Sequence, residues 1–485
     1  MREALSRWSM GVCLVASLLC LLAIGRADVG FATPINLIDH RTAGFVGESQ
    51  QGPLDQPVLI ESYFQFVSTF GASGAGLANP YLAPSVAAYF MNVGTRLYVV
   101  RVAASDDASL IGAQGASPGT STGLQTLREV AEVSVVAIPG ATSHAVQAAM
   151  IAHAESMPDR IAILDPVSAS DINAVSAQRA ALSTAEGHAV LYFPWLQAAP
   201  AGVSQLLPPS GFVAGLFART PRTVSPTGSL YTGTSVSLGL NSTQLGVLNT
   251  QGISTLRFIS GSGVVVWGAR TMASDPQWQY IAVRRKGSAI TSSIAAGTQW
   301  CLGEPNDATL WTQLRNDVGS FMQSLFVAGW FAGSTANQAY FVKCDETTMT
   351  ATDIAEGRTI ILVGFAPLTP AEFLLQRVVQ QRANTTGVVP GEARSLMLAP
   401  RPSPFLANTS IAFELSAAAR VTLSIHDIAG RTVRTLLSSA VLAAGHHEQV
   451  WDGRDDASAS VRAGVYLVRL QAGAQSQSRS VARVQ

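Results

Sequence analysis

One short motif has the residues of a serine nucleophile. The order Gly-Thr-Ser at 233–235 is that of a serine protease, in which Ser235 would attack a carbonyl carbon. Such a serine reacts only when a histidine takes its proton and an acid orients that histidine. Ser235 lies in a stretch rich in Thr, Ser and Gly, and no histidine has the sequence context of such a base. We therefore predict that Ser235 is not a protease nucleophile and that the chain is not an enzyme. The histidines are His40, His144, His153, His188, His426, His446 and His447.

Two groups near the C-terminus have side chains of the kind that bind metals. His446-His447-Glu448 lacks the second histidine of a His-Glu-x-x-His zinc motif and lies on a predicted hairpin. Asp452, Asp455 and Asp456 offer oxygen ligands of the type that calcium prefers. Aspartates at a turn also accept hydrogen bonds from their own backbone. We predict a solvated turn in both places, with no metal and no cofactor.

The composition argues against nucleic-acid binding. The 485 residues include 31 basic and 31 acidic ones, and the only lysines are Lys286 and Lys343. Phosphate neutralisation needs clustered basic residues, and neither lysine lies in a GxxxxGK phosphate loop. The one basic run, 284–286, is predicted to be a solvated strand end or a salt-bridge patch between subunits.

The cysteines and tryptophans are predicted to have structural roles. Cys13 and Cys20 lie in an N-terminal apolar segment, and Cys301 and Cys344 are expected to be buried as small apolar side chains. Core positions or contacts between subunits are expected for Trp267, Trp278, Trp300, Trp311 and Trp330.

The sequence signals for strands and helices are clearest between residues 261 and 349. Gly263 is expected to open a buried strand, Val264–Trp267. Asp275 and Pro276 then interrupt the chain before a second expected strand, Trp278–Arg284.

A helix is predicted after this region, with Asn306 or Asp307 as its N-cap and Gly329 as its end. Apolar residues at spacings of four and three define one buried face, formed by Leu310, Leu314, Val318, Phe321 and Leu325.

Upstream, residues 42–102 alternate between helix and strand, and 103–122 are expected to be a loop. Residues 245–381 are expected to form an α+β unit. From 123 to about 220, apolar strands alternate with helices, an α/β order. This order predicts a parallel sheet covered on both faces. Residues 382–402 have the composition of a linker. After the linker, apolar and polar residues alternate with period two between turns, which predicts an all-β sandwich.

The pattern at 261–349 resembles the C-terminal domain of contractile tail sheath proteins of phage tails and related injection systems. The resemblance covers about residues 42–381 and implies a subtilisin-like fold, without protease activity, for the middle domain. Further motifs occur in the family's order: TAGFV at 42–46, AAYFMNVGTRLYVVRV at 87–102, RIAILDP at 160–166, VLYFPWL at 190–196 and PPSGFVAGLFART at 208–220.

A second resemblance covers 403–474. The order SPF, IHDIAGRTVRTL, GHHEQVWDGRDD and AGVYLVRL is similar to the FlgD-like immunoglobulin-like domain. A closely similar module serves many exported proteins as a type IX secretion sorting domain.

The N-terminus has the order of a secretory signal peptide. Arg2 and Arg7 precede the apolar run Met10–Ile24, which ends at Gly25-Arg26-Ala27. A start codon assigned too far upstream and an anchor helix remain alternatives. The chain would touch a membrane only through this segment, if it stays uncleaved.

Seven segments are expected. They are 1–27, signal-like; 28–122, N-terminal sheath region; 123–243, subtilisin-like domain; 244–381, C-terminal sheath domain with an arm strand; 382–402, linker; 403–474, immunoglobulin-like domain; and 475–485, tail.

The sheath resemblance implies a structural subunit that polymerises as a helical sleeve around an inner tube. The sleeve contracts and drives the tube through a target envelope. Implied partners are other copies of the chain, the inner tube protein, and baseplate and tail terminator proteins, with no nucleic acid. Sheath arms add strands to neighbouring subunits. The arm strand is expected to include Glu372, Phe373, Leu374, Leu375, Gln376, Arg377 and Val378.

An exported or cell-surface structural protein that reuses the sheath fold is the alternative, since the chain has both a signal-like start and a sorting-like end. The expected location is therefore a virion or injection particle assembled in the cytoplasm, or the cell surface or medium. The N-terminal arm departs from the family, because only Pro34–His40 stands before TAGFV where sheath proteins usually have an extended PGVYVEE-like segment.

Overall fold

A computed structural model describes residues 34–484, apart from 73, 169–170, 370–371, 382–394, 398–399, 416–418, 428–430, 444 and 473–474. The chain divides into two compact units, one ending at Ala383 and the other beginning at Asn384. The predicted signal-like segment and most of the predicted linker lie outside the described residues. Within the described part, no helix is both long and apolar enough to span a membrane.

The strands of the first unit are β1 Thr42–Glu48, β2 Val58–Ile60, β3 Leu97–Val102, β4 Val133–Ala137, β5 Ile161–Leu164, β6 Ala189–Phe193, β7 Leu196–Ala198, β8 Gln205–Leu207, β9 Gly228–Ser229, β10 Gly233–Val236, β11 Ile253–Ile259, β12 Gly263–Val266, β13 Tyr340–Lys343, β14 Arg358–Phe365 and β15 Leu374–Gln381. Its α-helices are α1 Tyr63–Phe70, α2 Leu82–Met91, α3 Asp107–Ile111, α4 His144–Glu155, α5 Ile172–Ala180, α6 Ser210–Arg219, α7 Ser242–Thr250, α8 Ile281–Gly297, α9 Ala308–Val327, α10 Ala336–Ala339 and α11 Ala351–Ala355.

Nine of the described strands of the first unit form one large sheet in the order β2-β3-β1-β4-β5-β6-β11-β12-β9, and the other six form two small sheets, β10-β7-β8 and β13-β14-β15. The pairings from β3 through β11 are parallel, and β2, β12 and β9 add antiparallel edges. Neighbouring residues of a strand point to opposite faces of its sheet. Phe45 and Val46 of β1 are both fully buried, in different core clusters, so both faces of the sheet are covered. The predicted parallel sheet with two covered faces is confirmed. It extends beyond the predicted region 123–220, because β1 to β3 lie in 42–102 and β11 and β12 lie in 253–266.

The strand expected at Trp278–Arg284 is wrong. Asp275 accepts a hydrogen bond from the Gln277 amide (2.9 Å) and caps a short 3₁₀ turn that begins at Pro276. Proline is favourable at the first position of a helix. Asp275 and Pro276, which were expected to interrupt the chain, therefore begin a helical region. Helix α8 follows and buries Ile290 and Ile294, one turn apart.

The predicted helix at 308–327 is confirmed as α9. Asp307 is its N-cap, and its carboxylate accepts hydrogen bonds from the Thr309 and Leu310 amides. All five predicted apolar residues are buried. Gly329 follows with φ +76°, a left-handed conformation that glycine adopts without strain.

The second unit is all-β in its described residues, as predicted. Its strands are β16 Ser395–Met397, β17 Thr409–Leu415, β18 Ala419–His426, β19 Thr432–Leu442, β20 Gly445–Trp451, β21 Gly464–Ala472 and β22 Gln475–Arg483. They form sheets in the orders β16-β17-β20 and β19-β18-β21-β22 around the buried Trp451. Tyr466 and Val468 face this core, whereas Val465 is half exposed.

Candidate subunit-contact site

The predicted arm residues lie at the edge of a small sheet, β13-β14-β15. Strand β15 pairs antiparallel with β14 along its whole length, from Leu374 opposite Phe365 to Gln381 opposite Arg358. Among the described residues, no strand pairs with the other edge of β15. An unpaired edge presents free N–H and C=O groups to another chain. Glu372 and Phe373, at the start of the predicted arm, precede the strand.

The side chains of β15 alternate between the core and the surface. Leu374, Gln376 and Val378 are buried, whereas Leu375 is 55% exposed and Arg377 is also exposed. Phe373 packs edge-on against Phe341 of β13, with 5.2 Å between the ring centres. The strand therefore belongs to its own sheet and also presents apolar surface outward.

Two buried glutamines fix β15 against helix α8. Gln376 accepts a hydrogen bond from the Thr291 hydroxyl (2.8 Å). The Gln380 amide donates to the Ala295 carbonyl (2.7 Å) and to the Thr298 hydroxyl (2.8 Å). Because buried polar groups need partners, these bonds set the position of the strand along the helix.

The basic run 284–286 is neither a solvated strand end nor a patch of subunit salt bridges, so that prediction is wrong. All three residues lie on α8, and Arg284 and Arg285 are buried. Arg284 pairs with Glu186 (3.1 Å) and lies 4.1 Å from the Trp278 ring centre. The Lys286 ammonium donates to the Trp330 carbonyl (2.9 Å).

Arg285 joins α8 to the end of α6. Its guanidinium donates to four backbone carbonyls, those of Phe217 (3.0 Å), Thr220 (2.7 Å), Pro221 (3.1 Å) and Val224 (3.2 Å). The last carbonyls of a helix lack intrahelical partners, and a cation there is favourable. Burial lowers the pKa of Arg285 to about 9, which leaves it charged at neutral pH.

The segment before β1 lies on the same helix. Ile35 packs against Gly297, and the Ile38 amide donates to the Ser293 hydroxyl (2.8 Å). Asp39 then pairs with the buried Arg222 (3.2 Å), which also pairs with Asp159. Burial raises the pKa of Asp159 and Arg222 opposes this shift. Residues 34–41 are therefore bound within their own chain.

The sequence analysis missed a buried carboxylate at the carboxyl end of β5. Asp165 accepts hydrogen bonds from the Gly140 amide (2.9 Å), the Ser210 amide (2.9 Å) and the Ser210 hydroxyl (2.7 Å). Burial raises its pKa to about 6, although the three donors oppose the shift. The available signals were the LDP and PPSG motifs, which place Asp165 after a strand and Ser210 at a helix start. Both residues are buried, so the pair joins α6 to the sheet.

The residues considered for catalysis and metal binding have ordinary surroundings. Ser235 is exposed on β10, opposite Gln197 of β7. The His447 ring stacks on Phe413 (5.5 Å) and hydrogen-bonds the Ala443 carbonyl. In the described parts of the chain, no three His, Cys, Asp or Glu side chains are grouped to hold a metal.

The acidic turn accepts hydrogen bonds from backbone amides, as predicted. Asp452 accepts from Arg454, and Asp455 accepts from Ala457 and Ala459, all within the turn. Asp456 differs from the prediction, because it accepts from the Thr435 amide of β19.

The cysteine and tryptophan predictions are confirmed for the buried members. Cys301 and Cys344 are buried free thiols, and burial raises their pKa values to about 11 and 12. Trp278 and Trp330 are also buried, whereas Trp267 is 55% exposed.

Comparisons with known proteins agree with this architecture. Residues 116–272 match the phage tail sheath protein central domain, 273–381 match the phage tail sheath C-terminal domain, and 403–476 match the FlgD Ig-like domain. The chain is 27% identical to a prophage major tail sheath protein of Pseudomonas aeruginosa (strain UCBPP-PA14) over 378 residues, which cover 72% of this chain and 93% of that protein.

Solved sheath structures share the fold. The helical sheath of the anti-feeding prophage in its contracted state matches with a TM-score of 0.57 and 25% identity, covering 74% of this chain and 98% of that chain. The contracted PVC sheath complex of an extracellular contractile injection system matches with a TM-score of 0.55 and 25% identity, covering 72% and 95%.

The fold and the edge strand define a structural protein of the sheath class. The chain belongs to the phage tail sheath family, whose central and C-terminal domains together span more than half of it. It is homologous to sheath subunits of phage tails and contractile injection systems, and residues 403–476 of its all-β C-terminal unit match the FlgD Ig-like domain. Both predicted resemblances are confirmed.

Proposed function

We propose that this chain is a structural sheath subunit that polymerises around an inner tube and contracts to drive it through a target envelope. The observation that supports this most strongly is the match, over almost the whole length of each relative, to sheaths of contractile systems. The energy of contraction would come from repacking of subunits, so the chain needs no nucleotide.

The residues proposed for subunit contact are those of the arm, Glu372 to Val378. The unpaired edge of β15 and the exposed Leu375 support this role. A neighbouring chain that adds a strand at this edge would satisfy the free backbone groups and cover the apolar surface.

The proposed partners are further copies of the chain, the inner tube protein, and baseplate and tail terminator proteins. The parallel sheet is proposed to be subtilisin-like in topology only, with no catalytic role. Ser235→Ala tests that point, since a fluorophosphonate probe that labels the wild type and not the variant would contradict it.

Electron microscopy of the purified chain, alone and with its cognate tube protein, tests the assembly function. We expect rings, tubes or sleeves that contain this chain. Monomers under all conditions, with the tube protein present, would contradict the proposal.

A second candidate is an exported or surface structural protein that reuses the sheath fold. The FlgD Ig-like match at 403–476 favours it, because similar modules sort exported proteins, and the signal-like N-terminal sequence agrees. Cell fractionation separates the candidates. Chain that sediments with tube and baseplate proteins indicates a sheath particle, whereas processed soluble chain in the medium indicates export.

A further inference from the structure

A surface groove lies between α7 and the β11–β12 hairpin. It has a volume of about 430 Å³, and its lining includes Leu245, Gly246 and Trp267. Trp267 follows β12 and is 55% exposed, although a tryptophan buries a large apolar area when it is covered. Nothing lies within 4 Å of the position of a β-carbon on Gly246, so the groove is open on the helix side.

The groove contains a cation with no acidic partner. Arg257 of β11 lies over the Trp267 ring, 4.9 Å from its centre. Its Nε atom is buried without a hydrogen-bond partner. No acidic side chain of the described residues lies within 4 Å of its guanidinium, in contrast to Arg222 and Arg284. A planar guanidinium held on an aromatic ring is well placed to bind a carboxylate.

A complementary pair of side chains lies elsewhere on the same chain. Leu368 is 61% exposed, and Glu372 is exposed with no ion pair to the described residues. Both line one groove beside Tyr280 and Phe373, so they lie close together at the start of β15. The groove at the start of β15 thus combines the Glu372 carboxylate with the exposed Leu368. The groove beside α7 combines the Arg257 guanidinium with the exposed Trp267.

We propose that the Trp267–Arg257 groove of one copy binds Leu368 and Glu372 of the next copy. The Glu372 carboxylate pairs with the Arg257 guanidinium, and Leu368 packs against Trp267. Two different surfaces meet in such a contact, so each copy can bind one neighbour on either side. The contacts continue as an open helix when the rotation between copies does not close a ring. That is the symmetry a helical sleeve needs. The inference rests on the proposed sheath function and assigns it a specific pair of contacts.

Charge reversal in the full chain tests the pairing. The measurement is the critical concentration for sleeve assembly with the cognate tube protein, by sedimentation and electron microscopy. Arg257→Glu and Glu372→Arg each place like charges together, so each is expected to raise this concentration about tenfold or more. The double variant restores opposite charges and should return to within about threefold of the wild type. Glu346→Arg, at another exposed acid, is the matched control and should assemble like the wild type.

The outcomes separate the contact from the function. Assembly of both single variants at the wild-type concentration would overturn the contact and leave the sheath function intact. Impaired single variants without recovery in the double variant would overturn the pairing of these two residues. Wild-type chain that fails to assemble with the tube protein would overturn the sheath function, and the contact with it. Thermal melts that match the wild type establish that each variant is folded.

Discussion

Buried cations explain at the residue scale how the parts of the sheath unit are fixed to one another. Arg285 supplies the donors for four carbonyls at and after the end of α6, and Arg284 pairs with Glu186 while packing on Trp278. A buried carbonyl without a donor is costly, so these bonds hold α8 at one position on the sheet. Gln376 and Gln380 hydrogen-bond α8, so the position of α8 also fixes that of β15, the proposed contact strand.

Arg285→Ala should destabilise the chain strongly. It leaves four carbonyls without their donor, and we expect a loss of roughly 3 kcal/mol or more in the free energy of unfolding. Chemical denaturation measures the loss. Arg257→Ala is the control, because Arg257 donates to no carbonyl of the residues that the structure describes, and it should cost about 1 kcal/mol or less. Equal effects of the two substitutions would show that the carbonyl bonds of Arg285 contribute little.

Asp165 should make stability depend on pH. Burial raises its pKa to about 6 from an ordinary value of 3.8, so the folded chain keeps a proton that the unfolded chain releases. The stabilisation is present below about pH 4 and is lost as pH rises to about 6, by on the order of 3 kcal/mol. The measurement is the difference in unfolding free energy between wild type and Asp165→Asn. A difference that is constant from pH 4 to 6 would contradict the prediction.

Strand β15 is the element with two roles. Its inner residues complete the core of the small sheet, whereas its outer residues and free edge are available to another copy. The alternation of a β-strand makes this possible, because successive side chains point to opposite faces. A substitution on the outer face can therefore change assembly without unfolding the unit.

Leu375→Glu should leave the melting temperature unchanged and reduce sleeve formation, since Leu375 is 55% exposed in the isolated chain. The matched control is Val327→Glu at the end of α9, where the valine is 77% exposed and lies outside the predicted arm. Electron microscopy and thermal melts of both variants give the result. If the two variants assemble equally well, β15 has no specific role in assembly.

The whole molecule consists of two units with separate cores. The first unit has core clusters on the two faces of the large sheet and a third between α8, α9 and the small sheet β13-β14-β15. The second unit has its own core around Trp451. The division at Ala383–Asn384 falls close to the start of the predicted linker at 382. Each unit buries its own apolar residues, so each is expected to fold alone.

Deletion of all residues from Ala383 onward should leave the sheath unit folded. We expect it to melt within a few degrees of the corresponding transition in the full chain. The second unit, Asn384–Gln485, should fold alone as a β-sandwich, because β22 beyond the predicted end at 474 completes its sheet and places Val481 in its core. Location or surface decoration should change, while assembly is retained. Differential scanning calorimetry of both fragments provides the measurement. A much lower melting temperature for the truncated sheath unit would mean that the two units share a core.

The sequence by itself determined the features that depend on local order. The period of apolar residues gave α9, Asp307 gave its cap, and the alternation of apolar strands with helices gave the parallel sheet. The tertiary structure decided where the charged residues lie. Arg285 is buried among carbonyl partners that are 61 to 68 residues away in the sequence, and Asp165 is buried beside Ser210, 45 residues away. No local pattern contains those partners, since burial of a charge depends on which distant groups the fold brings to it.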